Sequence, residues 1–137
     1  MSKWSLALLV EDLWESIEKI ERYTEGMTQD SFQNDEKTTD AVVRNLEIIG
    51  EAAGRLPKEF TDRHSKIEWV KIKGLRNRIV HEYFGVDIQI IWQILKKDLP
   101  TFKASLKSIR SHLSGISNEK EKWINLWYSF SLKESIP

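Results

Sequence analysis

The chain has 137 residues, 40% of them hydrophobic and 31% charged, with a formal net charge of zero, which suits one soluble globular domain with a real core. It has no cysteine, and this excludes a disulfide scaffold, a thiolate metal site and a cysteine nucleophile together. The longest purely apolar run, Leu6-Ala7-Leu8-Leu9-Val10, falls far short of the ~20 residues of a membrane span, and the N-terminus lacks a signal peptide's basic region and apolar stretch; a cytoplasmic protein without membrane contact is expected.

Leu6, Val10, Leu13, Ile17 and Ile20 recur at spacings of four, three, four and three, the stripe of an amphipathic helix. It should end near Gly26, where glycine suits a left-handed cap. Residues 27–37 read as a turn with a short helical piece around Phe32. A second helix is expected from about Thr39 to Arg55, with Val42, Leu46, Ile49, Ala53 and Leu56 in the core and Pro57 as its stop. Residues 57–66 read as a loop. A third helical stretch carries Trp69, Ile72, Leu75 and Ile79, kinked or split at Gly74. Gly85-Val86-Asp87 breaks it, with Asp87 as N-cap of the next helix, which holds Ile88, Ile91, Trp92 and Leu95. Pro100 starts a continuation, Asp98 being a capping candidate, and Leu106, Ile109 and Leu113 face inward. No strand alternation competes with these helices. The expected fold is all-α, an antiparallel helical bundle.

The character changes after Gly115. A polar stretch, Ser117 to Lys122, precedes a crowd of Trp123, Ile124, Leu126, Trp127, Tyr128 and Phe130. The expected division is a helical domain over 1–114 and an extension over 115–137. The extension reads as a docking segment, an extra helix or a disordered end. Burial against something is favoured for so apolar a cluster, whether another chain or its own bundle.

Charge is unevenly distributed. Residues 1–60 carry 7 Lys and Arg against 13 Asp and Glu, a net of −6, whereas residues 61–137 carry 14 against 8, a net of +6. Such polarity makes either a local phosphate-binding surface on a neutral molecule or two halves that offset each other once folded. Lys103, Lys107, Arg110 and His112 form one basic face with the same two readings. His64 and His112 lack metal-ligand spacing, and no glycine-rich phosphate loop is present.

Arg76-Asn77-Arg78-Ile79-Val80-His81-Glu82-Tyr83 concentrates the reactive side chains. On a continuous helix Arg76, Val80 and Tyr83 share one stripe and Asn77, His81 and Phe84 the next; Arg78 and Glu82 fall outside that arc. Histidine carries protons near neutral pH. Arginine keeps its charge and offers a planar fork to phosphate oxygens. Asparagine fixes an imidazole tautomer or donates to phosphate. Together they suit RNA cleavage by the 2′-hydroxyl, with no metal and no cofactor. The plainer reading is a helix surface, with Arg76 in an ion pair and Tyr83 a core aromatic.

Arg76-x-x-x-x-His81-x-Tyr83 resembles the RxxxxHxY signature of the HEPN superfamily, in its HepT-like toxin branch. Gly74 to Asp87 and Arg44-Asn45-Leu46-Glu47-Ile48-Ile49-Gly50-Glu51-Ala52 are both similar to that branch, and the likeness covers about residues 3–113. The resemblance implies a helical bundle that forms a homodimer, with two copies of the motif facing across a cleft. It implies Arg76 and His81 as the catalytic pair, Asn77 in support, and RNA cut to leave a 2′,3′-cyclic phosphate. Its partner would be a cognate minimal nucleotidyltransferase antitoxin that transfers AMP to Tyr83. Arg44, Glu47 and Glu51 would support the site from the neighbouring helix, or form surface ion pairs. The alternative is a non-catalytic helical dimer that docks such a nucleotidyltransferase and is modified by it.

Overall fold

The computed structural model describes residues 3–81 and 85–134, with side chains at 5–80, 85–113 and 123–130. The expected apolar stripe of α1 (Lys3–Thr24) is buried at Val10, Leu13, Ile17 and Ile20 and partly buried at Leu6. The chain then turns through Gly26, whose φ of +73° is open to glycine and strained for other residues. Thr28 and Ser31 form a reciprocal capping box on α2 (Gln29–Gln33), which buries Phe32.

The third helix, α3 (Glu36–Arg55), begins about a turn earlier than expected. The cause is Asp35, whose carboxylate accepts the Thr38 N–H at 3.0 Å and the Thr38 hydroxyl at 2.8 Å. These two bonds, the backbone one first, hold the Asp35 carboxyl below the usual carboxylate range. Val42, Leu46, Ile49 and Ala53 line the core side of α3, as their spacing requires. The helices α1 and α3 run antiparallel, so that Asp12 near one end of the pair feels Arg55.

Residues 57–66 are not a loop. Pro57 stops α3 and also stands at the N-cap of α4 (Lys58–Arg63). The proline φ is suited to a helix start, and Phe60 and Thr61 are buried beneath it. Polar composition concealed this short helix because only one of its faces is apolar. Its end is fixed by His64, whose backbone oxygen accepts the Trp69 indole N–H at 3.0 Å. The next stretch splits as expected at Gly74 into α5 (Trp69–Lys73) and α6 (Leu75–Ile79). A Cβ at Gly74 would stand 3.1 Å from the Val70 carbonyl oxygen.

A short hairpin follows, β1 (Val80–His81) against β2 (Gly85–Val86), antiparallel with Val80 opposite Val86 and His81 opposite Gly85. Asp87 then caps α7 (Ile88–Gln93), its carboxylate accepting the Ile90 N–H at 3.1 Å. The helix widens into a π turn over Ile94–Asp98 and continues as α8 (Leu99–Glu134). Pro100 lacks an N–H and its ring crowds the carbonyl four residues back, which accounts for a wider turn just there. Asp98 is therefore not an N-cap, because the chain is already helical before it and α8 continues directly from the π turn. The helix passes through Gly115 without a break.

The helix α8 lies antiparallel on α1 and their charges interlock. Arg110 donates to Glu11 at 2.8 Å and Lys103 to Glu21 at 2.6 Å. Both cations stand over the Trp14 ring, at 4.9 and 5.2 Å from its centre. Much of the basic face of α8 is thus answered by the acidic face of α1. Fully buried Phe32 packs on Trp92, ring centres 5.4 Å apart, and joins α2 to α7. Trp69 meets Phe102 edge-on at 5.9 Å and joins α5 to α8. Among the described residues no helix is long and apolar enough to cross a membrane.

The α3–α5 contact is the tightest constraint on where the following segment sits. Gly50 is buried, and a Cβ there would lie 3.4 Å from the Ile72 carbonyl oxygen and 3.5 Å from that of Lys73. A methyl group fits there in ordinary van der Waals contact, and a branched side chain must find further room. Gly50→Ala should be neutral or stabilising by up to about 1 kcal/mol, since alanine is the better helix former, and Gly50→Val should cost about 1–3 kcal/mol, measured by urea unfolding. Equal stability of the two variants would show that α3 and α5 are not held at this distance.

Candidate active site

The helix α6 has two faces. Leu75 and Ile79 are buried, whereas Arg76 and Asn77 are exposed. The helix does not continue through the motif. Its last residue is Ile79, and Val80 takes an extended backbone, φ −108° and ψ +119°. Ile79 and Val80 are β-branched and favour that change. It is fixed by the Asp87 N–H, which donates to the Ile79 carbonyl at 2.8 Å, and by the pairing of β1 with β2. The continuous-helix arrangement is therefore corrected at Val80 and His81, which do not continue the stripes of Arg76 and Asn77; its further positions, Tyr83 and Phe84, lie outside the described residues. His81 stands in a hairpin strand, at a position set by pairing and not by helical periodicity.

The side chain of His81 lies outside the described side chains. Tyr83, expected to accept AMP, and Glu82 lie outside the described residues. Of the expected supporting residues, Arg44 and Glu51 are exposed and Glu47 is half-buried on α3. Their spacing of three and four gives them one stripe, beside Gly50 and not on it. α3 packs on both α5 and α6. Among the described side chains, none of Arg44, Glu47 and Glu51 bonds to Arg76 or Asn77.

Arg78 is the residue that sequence reasoning missed. Its guanidinium donates to Asp98 at 2.7 Å, with both side chains about one-third exposed, at 34% and 30%. The Nη1 of the same guanidinium is buried without a hydrogen-bond partner among the described residues. Asp98 closes the π turn, so the pair ties the last turn of α6 to the start of α8. Twenty residues separate the partners, and no local spacing signals such a contact. An open cleft of about 380 Å³ lies beside Asp98, with Lys66, Lys71 and Lys97 on its walls. Lys71 there is paired with Glu68 at 2.9 Å.

His64 and His112 do come together, around a shallow cavity of about 400 Å³ next to Phe60 and Arg63. Burial, then Arg63 and His112, push the His64 imidazole below its ordinary value. Among the described residues no three His, Asp or Glu side chains are placed to hold a metal ion.

Because Arg78 and Asp98 are half-shielded, their pair should count for more than a surface ion pair. In a double-mutant cycle of Arg78→Ala and Asp98→Ala, read by chemical unfolding, we expect a coupling of about 1 kcal/mol. Additive losses would mean that the two side chains do not hold α6 and α8 together.

Three relatives carry the comparison further. A protein of Thermococcus cleftensis named "Probable ribonuclease HepT" is 40% identical over 101 residues, 74% of this chain and 92% of its own. "Putative RNase TTE0752" of Caldanaerobacter subterraneus subsp. tengcongensis is 47% identical over 90 residues, 66% of this chain and 80% of its own. "Putative RNase MJ0127" of Methanocaldococcus jannaschii is 35% identical over 124 residues, 90% of this chain and all of its own. No solved structure matches the chain. The model of the family described as "Ribonuclease HepT-like" matches residues 13–109, a span that runs from the core of α1 through the hairpin to α8, and the chain belongs to that family.

Proposed function

We propose that the protein is an endoribonuclease toxin that cuts RNA without a metal, with Arg76 and His81 acting on the scissile phosphate. The observation that carries this reading is the exposed Arg76–Asn77 pair at the end of α6, where the chain leaves the helix for the strand that carries His81. An arginine and an amide on an open surface, with a histidine four residues after the amide in the chain, are the groups this reaction uses. A base removes the 2′-hydroxyl proton as the oxygen bonds to phosphorus. The bond from phosphorus to the 5′-oxygen breaks, and that oxygen takes up a proton. The products are a 2′,3′-cyclic phosphate and a 5′-hydroxyl. Imidazole is suited to the proton transfers, and Arg76 to the charge on the phosphate oxygens in the transition state.

The family resemblance adds a homodimer in which each motif faces its copy. It also adds inactivation by a minimal nucleotidyltransferase that transfers AMP to Tyr83. AMP would bring bulk and negative charge to a phosphate-binding surface, which explains how it would block the reaction.

Purified protein free of AMP should cut single-stranded RNA in EDTA. Arg76→Ala and His81→Ala should each slow cleavage by about 10²-fold or more. Arg76→Ala should leave the melting temperature within about 2 °C, because an exposed side chain is being removed. Cleavage that survives in either variant would remove that residue from its role. A protein that binds a nucleotidyltransferase and gains AMP in its intact mass, yet never cuts RNA when unmodified, would instead be a docking module.

A further inference from the structure

The second part of α8 stands apart from the core. Trp123, Ile124, Leu126, Trp127, Tyr128 and Phe130 are between 54% and 68% exposed. They do not pack back on their own bundle, which answers one of the two possibilities for their burial. With 150–250 Å² for a whole aromatic side chain, these six present on the order of 700 Å² of largely apolar surface. That exceeds the roughly 300–600 Å² of the largest patch on a typical monomer. It approaches the ~800 Å² that each partner contributes to a standard protein interface.

The arrangement of the patch narrows what covers it. At about 100° per residue, the apolar positions from Leu126 round to Tyr128 form one arc, and Trp127 lies at its centre. Asn125 and Ser129 lie on the opposite side. Lys120 precedes Trp127 by seven residues and Glu134 follows it by seven. Positions 120, 123, 127, 130 and 134 therefore make a seam at spacings of three, four, three and four, with opposite charges at its two ends.

We infer that residues 120–134 pair antiparallel with the same segment of a second copy, about a two-fold axis at Trp127. Such an axis places position 120 of each copy opposite position 134 of the other, lysine against glutamate at both ends. A parallel pairing would set lysine against lysine and glutamate against glutamate. The contact is isologous, so one self-complementary stripe serves both copies. RNA is a poorer occupant despite the aromatic rings. Over 120–134 three Lys meet two Glu, a net of only +1 to hold a phosphate backbone.

This contact is separate from any pairing at the motif. Light scattering on the full chain tests it. Trp127→Glu should halve the particle mass while leaving the circular dichroism of the bundle unchanged. Lys120→Glu alone should weaken the association about tenfold or more, and adding Glu134→Lys should return it to within about threefold of the original, because opposite charges again face each other. A particle mass unaffected by Trp127→Glu would overturn the inference, as would a double variant no tighter than Lys120→Glu. Loss of binding to a single-stranded RNA oligonucleotide, with the mass unchanged, would reassign the patch to base stacking.

Discussion

The hydrogen bond from the Asp87 N–H to the Ile79 carbonyl decides the geometry of the motif segment. It closes the hairpin at the point where α6 stops. The Asp87 side chain meanwhile caps α7. One residue thus fixes the end of the helix that carries Arg76, the strand that carries His81 and the start of the helix that leads to Asp98. Gly85, with φ +73°, supplies a backbone conformation that few other residues adopt without strain. Gly50 sets the same unit at a fixed distance from α3.

The uneven charge of the sequence resolves unequally. The acidic first half and the basic second half meet along α1 and α8, where Glu11 and Glu21 hold Arg110 and Lys103 over Trp14. This part of the polarity is spent on packing two helices, and it removes those cations from the surface available to an anion. The positive charge left outside that contact includes Arg76, Lys66 and Lys97, near α6 and the π turn. Offsetting, one of the two alternatives from the sequence, accounts for the α1–α8 contact.

Helical periodicity made the core legible, because burial enforces it. Every expected stripe residue of α3 is buried, and so are Trp69, Ile72, Leu75 and Ile79. Capping chemistry at Asp87 and the break at Gly74 were readable for the same local reason. Periodicity failed where local preference and tertiary pairing disagreed with it. Val80 fits a helical stripe, yet a β-branched residue beside a hairpin closed by Gly85 is more stable extended. The Arg78–Asp98 pair was invisible because it joins residues far apart in sequence through a π turn that only Pro100 hints at. The resemblance to a known family located the motif, but it carried no backbone conformation with it.

Arg76 and Arg78 show how one short helix serves two ends. They are two residues apart, about 200° around the helix, and so must point to different sides. Arg78 turns toward α8 and is held by Asp98, with part of its guanidinium buried. Arg76 is left on the open side beside Asn77. Burying a cation is tolerable only with a carboxylate beside it, so the protein can anchor α6 through charge without exposing more apolar surface around the motif. The half-buried pair restrains the helix, and a restrained helix presents the exposed arginine at a defined place. An arginine on a loosely held five-residue helix would lose more freedom on meeting a phosphate, and its contribution would fall accordingly.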